Sequence, residues 1–276
     1  MNTCLFLSFR FQKNPPVSAG EMAKLHGALR AAPMLLKALV HTPERASDPY
    51  LDDGLGPQLM LQLYFAELAD LETALAADGH LAVLMSRDEF PALAHADVAQ
   101  QAMLVRSFAV NEPTFKNAHE GCCCTYLVSY EGEAEDPNAW LRHYLGKHAE
   151  HMANLPSIRE LEVYTRLDWV TWLPWPRVDF MQRNKVVFDS PDALTQALNS
   201  PVRHKMRECY RAFPRFTGPT THYAMASRIL HPDSGSAELG RPQPHQQSVD
   251  MAHDHLVGGI DERVTPDHDA SVGFRL

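Results

Sequence analysis

The chain has 276 residues, 45% hydrophobic and 21% charged, with a formal net charge of −9, so it has enough apolar material for a core and is neither disordered nor collagen-like. Its acidic balance offers no basic stripe for phosphates, which argues against nucleic acid as a partner. No apolar run reaches the roughly 20 residues that span a bilayer, which argues against a membrane partner.

The opening MNTCLFLSFRFQKN has no basic residue before its apolar run and no small-residue cleavage site, so it is expected to be a strand rather than a signal peptide, and the expected location is the cytoplasm. A helix follows in SAGEMAKLHGALRAA, with Ser18 as its cap, and then strands MLLKALVHT and QLMLQLYF. ELADLETALAA is a second helix, and AMLVRSFAV closes the set as a strand. NEPTFKNAHEG, residues 111–121, is a linker between a unit at 1–110 and a second unit at 122–227.

The second unit repeats the order. CTYLVSYEG is a strand, DPNAWLRHYLGKHAEHMANL a helix capped by Asp136 with Pro137 first inside it, and IRELEVYTRL a strand. VDFMQRNKVVF, SPDALTQALNS and THYAMAS are expected as strand, helix and strand, with Ser190-Pro191 opening the helix. A shift of 123 residues lays Pro33 on Pro156, Val40 on Val163, Thr42 on Thr165, Phe65 on Phe188 and Leu71 on Leu194 without a gap. This shared offset argues for an ancient duplication.

Two βαββαβ units of this kind are ferredoxin-like, each with a four-stranded antiparallel sheet and helices on one face. The expected class is therefore α+β, with the two tandem units covering one another's bare sheet faces as an intrachain α+β barrel. From residue 228 the chain turns rich in Pro, Gly, Ser, Asp and His and is expected to be a flexible tail, in which His253-Asp254-His255 offers at most a loose metal site.

The five cysteines form no CxxC pair, and adjacent Cys122, Cys123 and Cys124 alternate sides of a strand, so neither a disulfide framework nor structural zinc is expected. Three histidines fall within nine residues, at 143, 148 and 151. At about 100° per residue, Leu141, Tyr144, Leu145, Met152 and Leu155 make an apolar arc with His148 at its middle, while His143 lies outside and His151 at the edge. The three cannot converge on one metal ion, and no metal is expected. The 123-residue shift sets His148 over Leu25, so a titratable ring occupies a position that the first unit fills with a hydrophobe. Either that ring is a satisfied core histidine or it is a proton-transfer group.

Strand alternation puts Gln182, Asn184, Val186 and Phe188 on one face, opposite Arg183, Lys185 and Val187. The first set is expected beneath the helices, so Asn184, with Thr165 from the preceding strand, is placed beside His148 in a partly polar pocket. Mutual hydrogen bonding of buried polar groups would give the same clustering. Tyr144, Tyr126 and Tyr130 are further candidates for its wall. The loop LDWVTWLPWPRVDF carries Trp169, Trp172 and Trp175, with prolines flanking the last, and offers either an aromatic wall for a ligand, through Trp169 and Trp172, or packing against the other unit.

WLRHYLGKHAEHMANLPSIRELEVYTR and the later RNKVVFDSPDAL resemble the EthD-like family of the dimeric α+β barrel superfamily, over residues 124–227. The family's usual Pro-Gly after the helix is here Pro156-Ser157. The resemblance implies a pocket between sheet and helices, with the family's helix histidine falling on His148. It also implies relatives that include lactone isomerases, polyketide cyclases and cofactor-free monooxygenases.

The function expected from all this is a cofactor-independent enzyme of the isomerase, cyclase or lactone-hydrolase type acting on an oxygenated organic acid, lactone or aromatic. His148, with the ordinary imidazole value near 6.5, would move the proton, and Asn184 would stabilise the enolate. The alternatives are a cofactor-free monooxygenase and a non-catalytic small-molecule binding protein. Haem on His148 is a weaker reading, since only one histidine is well placed. The chain could pair again as a homodimer.

Overall fold

Eight strands close into one antiparallel barrel in the computed structural model, which describes residues 2–12, 17–116 and 121–233. The first half supplies β1 (Thr3–Arg10), α1 (Ala19–Arg30), β2 (Leu35–Pro43), β3 (Leu59–Phe65), α2 (Leu68–Ala74) and β4 (Asp97–Phe108). The second supplies β5 (Cys122–Tyr130), α3 (Pro137–His143), a π-helical turn (Tyr144–His148), α4 (Ala149–Ala153), β6 (Glu160–Arg166), β7 (Gln182–Phe188), α5 (Pro191–Leu198), α6 (Pro201–Arg211) and β8 (Thr220–Leu230). The caps form locally: Ser18, Asp136 and Ser190 each accept from a backbone N–H three residues on, at 3.1, 2.9 and 3.2 Å.

Around the barrel the strands run β1-β3-β2-β8-β5-β7-β6-β4. Each half keeps its own four strands together, in the orders β4-β1-β3-β2 and β8-β5-β7-β6, and the halves join edge to edge through β2 with β8 and β4 with β6. Closure leaves no sheet edge to attract another chain. Met34 and Ser157, which the 123-residue shift superposes, both have φ of 61°, the left-handed conformation in which glycine is at ease.

Alternation sorts the side chains into three apolar clusters. Leu5, Leu7 and Phe9 of β1 face the helices of the first half, while Cys4 and Phe6 face the barrel interior. On the second half, Val128, Leu161, Val163, Val186 and Phe188 lie beneath α3, α4 and α5.

The interior is only partly apolar. Fully buried Lys185 sits 3.0 Å from Glu162 and 3.1 Å from Glu160. Tyr64 and Tyr164 donate to the Glu162 carboxylate. Gln62 donates to Tyr64 and bonds His41, whose other ring nitrogen meets the Ser227 hydroxyl at 2.7 Å. The cations hold the Glu162 carboxyl far below its usual range against the opposing effect of burial.

Two sequence expectations are corrected here. α6 and the 3₁₀ turns at His80–Met85 and Leu93–His95 occupy stretches that had no assigned element. β8 runs to Leu230, where Arg228 and Leu230 pair with Val40 and Ala38, so the tail does not begin at 228. The sequence expected to be flexible beyond 233, with its His253-Asp254-His255 motif, lies outside the described residues. No described helix is long and apolar enough to cross a membrane.

Candidate functional site

The helix carrying the three histidines is not a plain α-helix. At its centre the Ala149 amide bonds back to the Tyr144 carbonyl, five residues earlier. That widened turn adds about one residue and shifts the phase of everything after it. The buried positions accordingly fall four apart, at Trp140, Tyr144, His148 and Met152, whereas a uniform α-helix would drift sideways over that distance. The π turn therefore lets His148 face the sheet on the same line as Trp140.

Below His148 lies a cavity of about 390 Å³ between the helices and the outer faces of β5, β7 and β8. Its floor includes Tyr126, Tyr130 and Asn184; Arg203 and Arg207 of α6 and His222 of β8 also line it. Phe216 closes one end, held by a backbone bridge to Ala134 and a loop crossing where a Cβ on Gly132 would stand 1.4 Å from the Thr217 carbonyl oxygen.

His148 is 5% exposed, and its Nδ1 is buried with no hydrogen-bond partner. Its ring packs against Tyr144 and Phe213 at 5.1 Å. Burial, reinforced by His151, Arg203, His143 and His222, lowers its pKa to about 3. The ring is thus neutral at ordinary pH, and the unperturbed value near 6.5 expected from sequence is corrected. Asn184 donates to the Tyr144 hydroxyl at 2.6 Å, and its Oδ1 is buried without a partner. Two unsatisfied polar atoms thus sit in the wall of one cavity, in a protein interior where such atoms are normally paired.

The other polar groups of the wall are anchored from behind. Asp48 accepts from Arg203 Nε and Nη2, at 3.1 and 2.7 Å, and from the Tyr126 hydroxyl at 3.0 Å. Asp53 accepts from the His222 backbone at 2.8 Å and from Nδ1 at 2.9 Å, which assigns that nitrogen its proton and leaves Nε2 as the acceptor. Desolvation lowers the pKa of His222, although Asp53 opposes the shift.

Of the residues singled out from sequence, His148, Asn184, Tyr126 and Tyr130 line this cavity. Tyr144 is fully buried behind the wall and positions Asn184. Thr165 lies elsewhere: β6 is the outer strand of its half, the cavity lies over the other three, and the Thr165 hydroxyl accepts from Arg106. Trp169 and Trp172 are also elsewhere. Their loop docks on the first half, where Trp169 joins the core around Leu25 and Trp172 donates its backbone N–H to the Leu75 carbonyl at 3.0 Å, leaving its side chain 58% exposed.

The arginines, His222 and the two aspartates escaped sequence reasoning. Ser200-Pro201 and the spacing of Val202, Met206 and Tyr210 did signal α6, but the partnership of Arg203 with Asp48 spans 155 residues and leaves no local trace. His143 bonds the Cys209 carbonyl at 3.3 Å and does not line the cavity. Among the described residues no cluster of three His, Cys, Asp or Glu could hold a metal ion.

No protein-family model matches the chain, and no curated protein matches it in sequence. Solved structures do match. An anthrone oxidase-like protein, 13% identical, aligns over 86% of this chain and 95% of its own with a TM-score of 0.57. A candidate monooxygenase from Fusobacterium nucleatum subsp. nucleatum, 10% identical, covers 83% of this chain and 94% of its own at 0.52. Another from Lactobacillus acidophilus, also 10% identical, covers 83% and 96% at 0.51. At such identities the likeness establishes a shared fold.

Proposed function

We propose that this chain is a cofactor-independent enzyme of small-molecule metabolism, of the isomerase, cyclase or lactone-hydrolase type, in which His148 takes a proton from an oxygenated substrate. The observation that carries the reading is the neutral His148 imidazole in the wall of a cavity large enough for a metabolite. A neutral imidazole can accept a proton. Its low pKa makes an isolated imidazolium costly, by roughly 5 kcal/mol relative to water. That cost is offset when the same transfer creates an enolate beside it, because the two charges form as a pair. Asn184, held by Tyr144, is placed to orient the substrate; with its amide rotated, it would instead present a donor to the new oxyanion.

Isomerisation requires the proton to be returned at a different atom, which the His148 imidazolium can itself do; His222, whose Nδ1–H is held by Asp53, adds a second proton acceptor to the cavity wall. A second reading is favoured by the aromatic floor of Tyr126 and Tyr130 and by the names of the structural neighbours: the same base would form a phenolate or enolate that reacts with dioxygen. The strand order and the paired left-handed residues support tandem ferredoxin-like units.

The test is a screen of lactones, unsaturated acids and phenols with protein dialysed against chelator. His148→Ala is expected to lower kcat/KM by about 10²- to 10⁴-fold while retaining the native circular dichroism spectrum. Unchanged turnover would remove His148 from the chemistry. Deuterium uptake from solvent into product marks proton transfer, oxygen consumption marks the second reading, and recovery of an intact ligand with no turnover marks a binding protein. A Soret band in the purified protein would replace the cofactor-free scheme with haem chemistry.

A further inference from the structure

The protein as a whole is acidic, with a net charge of −9, yet the cavity wall carries two arginines and no carboxylate. Arg203, Arg207, His148 and His222 line it, and no aspartate or glutamate does. The two arginines are not equivalent. Arg203 has two nitrogens engaged by Asp48, and that carboxylate neutralises it. Arg207, one helical turn further along α6, has no carboxylate within 4.0 Å among the described residues. Its guanidinium rests between Tyr50 and Tyr210, at 5.6 and 5.5 Å from their ring centres, and its Nε is buried with no partner. A guanidinium held between two rings in a cavity wall, with no carboxylate partner, is suited to receive an anion.

From these observations we infer that the cavity takes a small aryl or unsaturated carboxylic acid, whose carboxylate sits on Arg207 while its carbon skeleton lies over Tyr126 and Tyr130. The volume sets the scale. About 390 Å³ is more than twice the roughly 150 Å³ cavity that holds one benzene, so two fused rings, or one ring with a side chain, fill it. The inference deepens the proposed function by naming its substrate class, but it concerns equilibrium binding and does not require turnover.

The test uses the full-length protein and two probes of nearly the same shape, 1-naphthoate and 1-naphthamide, titrated by calorimetry at low and high salt. Naphthoate is expected to bind at least tenfold more tightly than naphthamide, with the advantage shrinking as salt rises. Arg207→Gln is expected to remove that advantage and leave naphthamide binding unchanged, and Arg207→Lys to restore part of it. Equal affinity for the two probes in the wild type, equal weakening of both by Arg207→Gln, or no binding of either at millimolar concentration overturns the inference. Discrimination between the probes without any turnover in the screen would refute the enzyme and leave the receptor standing.

Discussion

Two buried histidines show how differently the barrel interior and the outer cavity treat the same side chain. Burial lowers His41 and His148 alike to about 3. In the interior, however, both nitrogens of His41 are bonded, to Ser227 and Gln62, within a network that ends on Glu162 and Lys185. In the cavity, Nδ1 of His148, Oδ1 of Asn184 and Nε of Arg207 all lack partners. Polar groups that satisfy one another specify a structure, whereas side chains with unpaired atoms gathered around one cavity mark a place that packing alone does not explain.

The largest effect expected from this difference is in the interior. Lys185→Met leaves Glu160 and Glu162 without their central cation and should cost about 3–5 kcal/mol in urea denaturation. Adding Glu162→Gln should recover part of it. A loss under about 1 kcal/mol would show that water reaches the network and that the interior is not sealed.

Next in size is the contrast between the histidines themselves. His41→Leu leaves the Gln62 Oε1 without its partner, while the Ser227 hydroxyl keeps Thr125, and should cost about 1–3 kcal/mol. His148→Leu installs the residue type that the first half already uses at Leu25, where the helix-to-sheet layer is closed by Trp169. It should leave stability within about 1 kcal/mol of the wild type while abolishing turnover. Similar stability losses for the two would erase the distinction drawn above.

Acid titration sharpens it further. Both rings have folded pKa values below the unfolded value near 6.5, so below that pH the unfolded chain takes up protons that the folded one refuses. Stability should therefore fall as pH drops from about 6.5 toward 5, a window above most carboxylate titration. Each histidine contributes up to about 1.4 kcal/mol per pH unit. His148→Gln should flatten the slope by that amount, and a bound carboxylic acid should do so in part by stabilising the imidazolium. An unchanged slope would mean that His148 titrates normally in the folded protein.

What the sequence disclosed follows from how far each determinant reaches along the chain. Caps at Ser18, Asp136 and Ser190, and the alternation that sends Asn184 toward the helices and Lys185 inward, depend on neighbours a few residues away. The offset of 123 residues carried further, placing His148 over Leu25. Three things were illegible. The π turn follows from no propensity pattern in YLGKH, the partners of Arg203 and His222 sit 155 and 169 residues away, and the covering of the first half comes from a loop of the second. His148 was found because it broke a periodic pattern; Arg207 broke none.

The smallest expected effect concerns the tryptophan loop, which belongs to neither polar region. Its backbone is fixed to the first half through Gln100, which donates to the Leu173 and Trp175 carbonyls, and through the Trp172 amide on Leu75. The Trp172 ring itself is mostly in solvent. Trp172→Ala should change stability by no more than about 0.5 kcal/mol and leave 1-naphthoate affinity unaltered. Trp169, buried beneath Arg177 in the first-half core, should cost several-fold more on truncation, again without touching affinity. Weakened binding in Trp172→Ala would bring the aromatic loop back to the ligand, and the cavity described above would then be only part of the site.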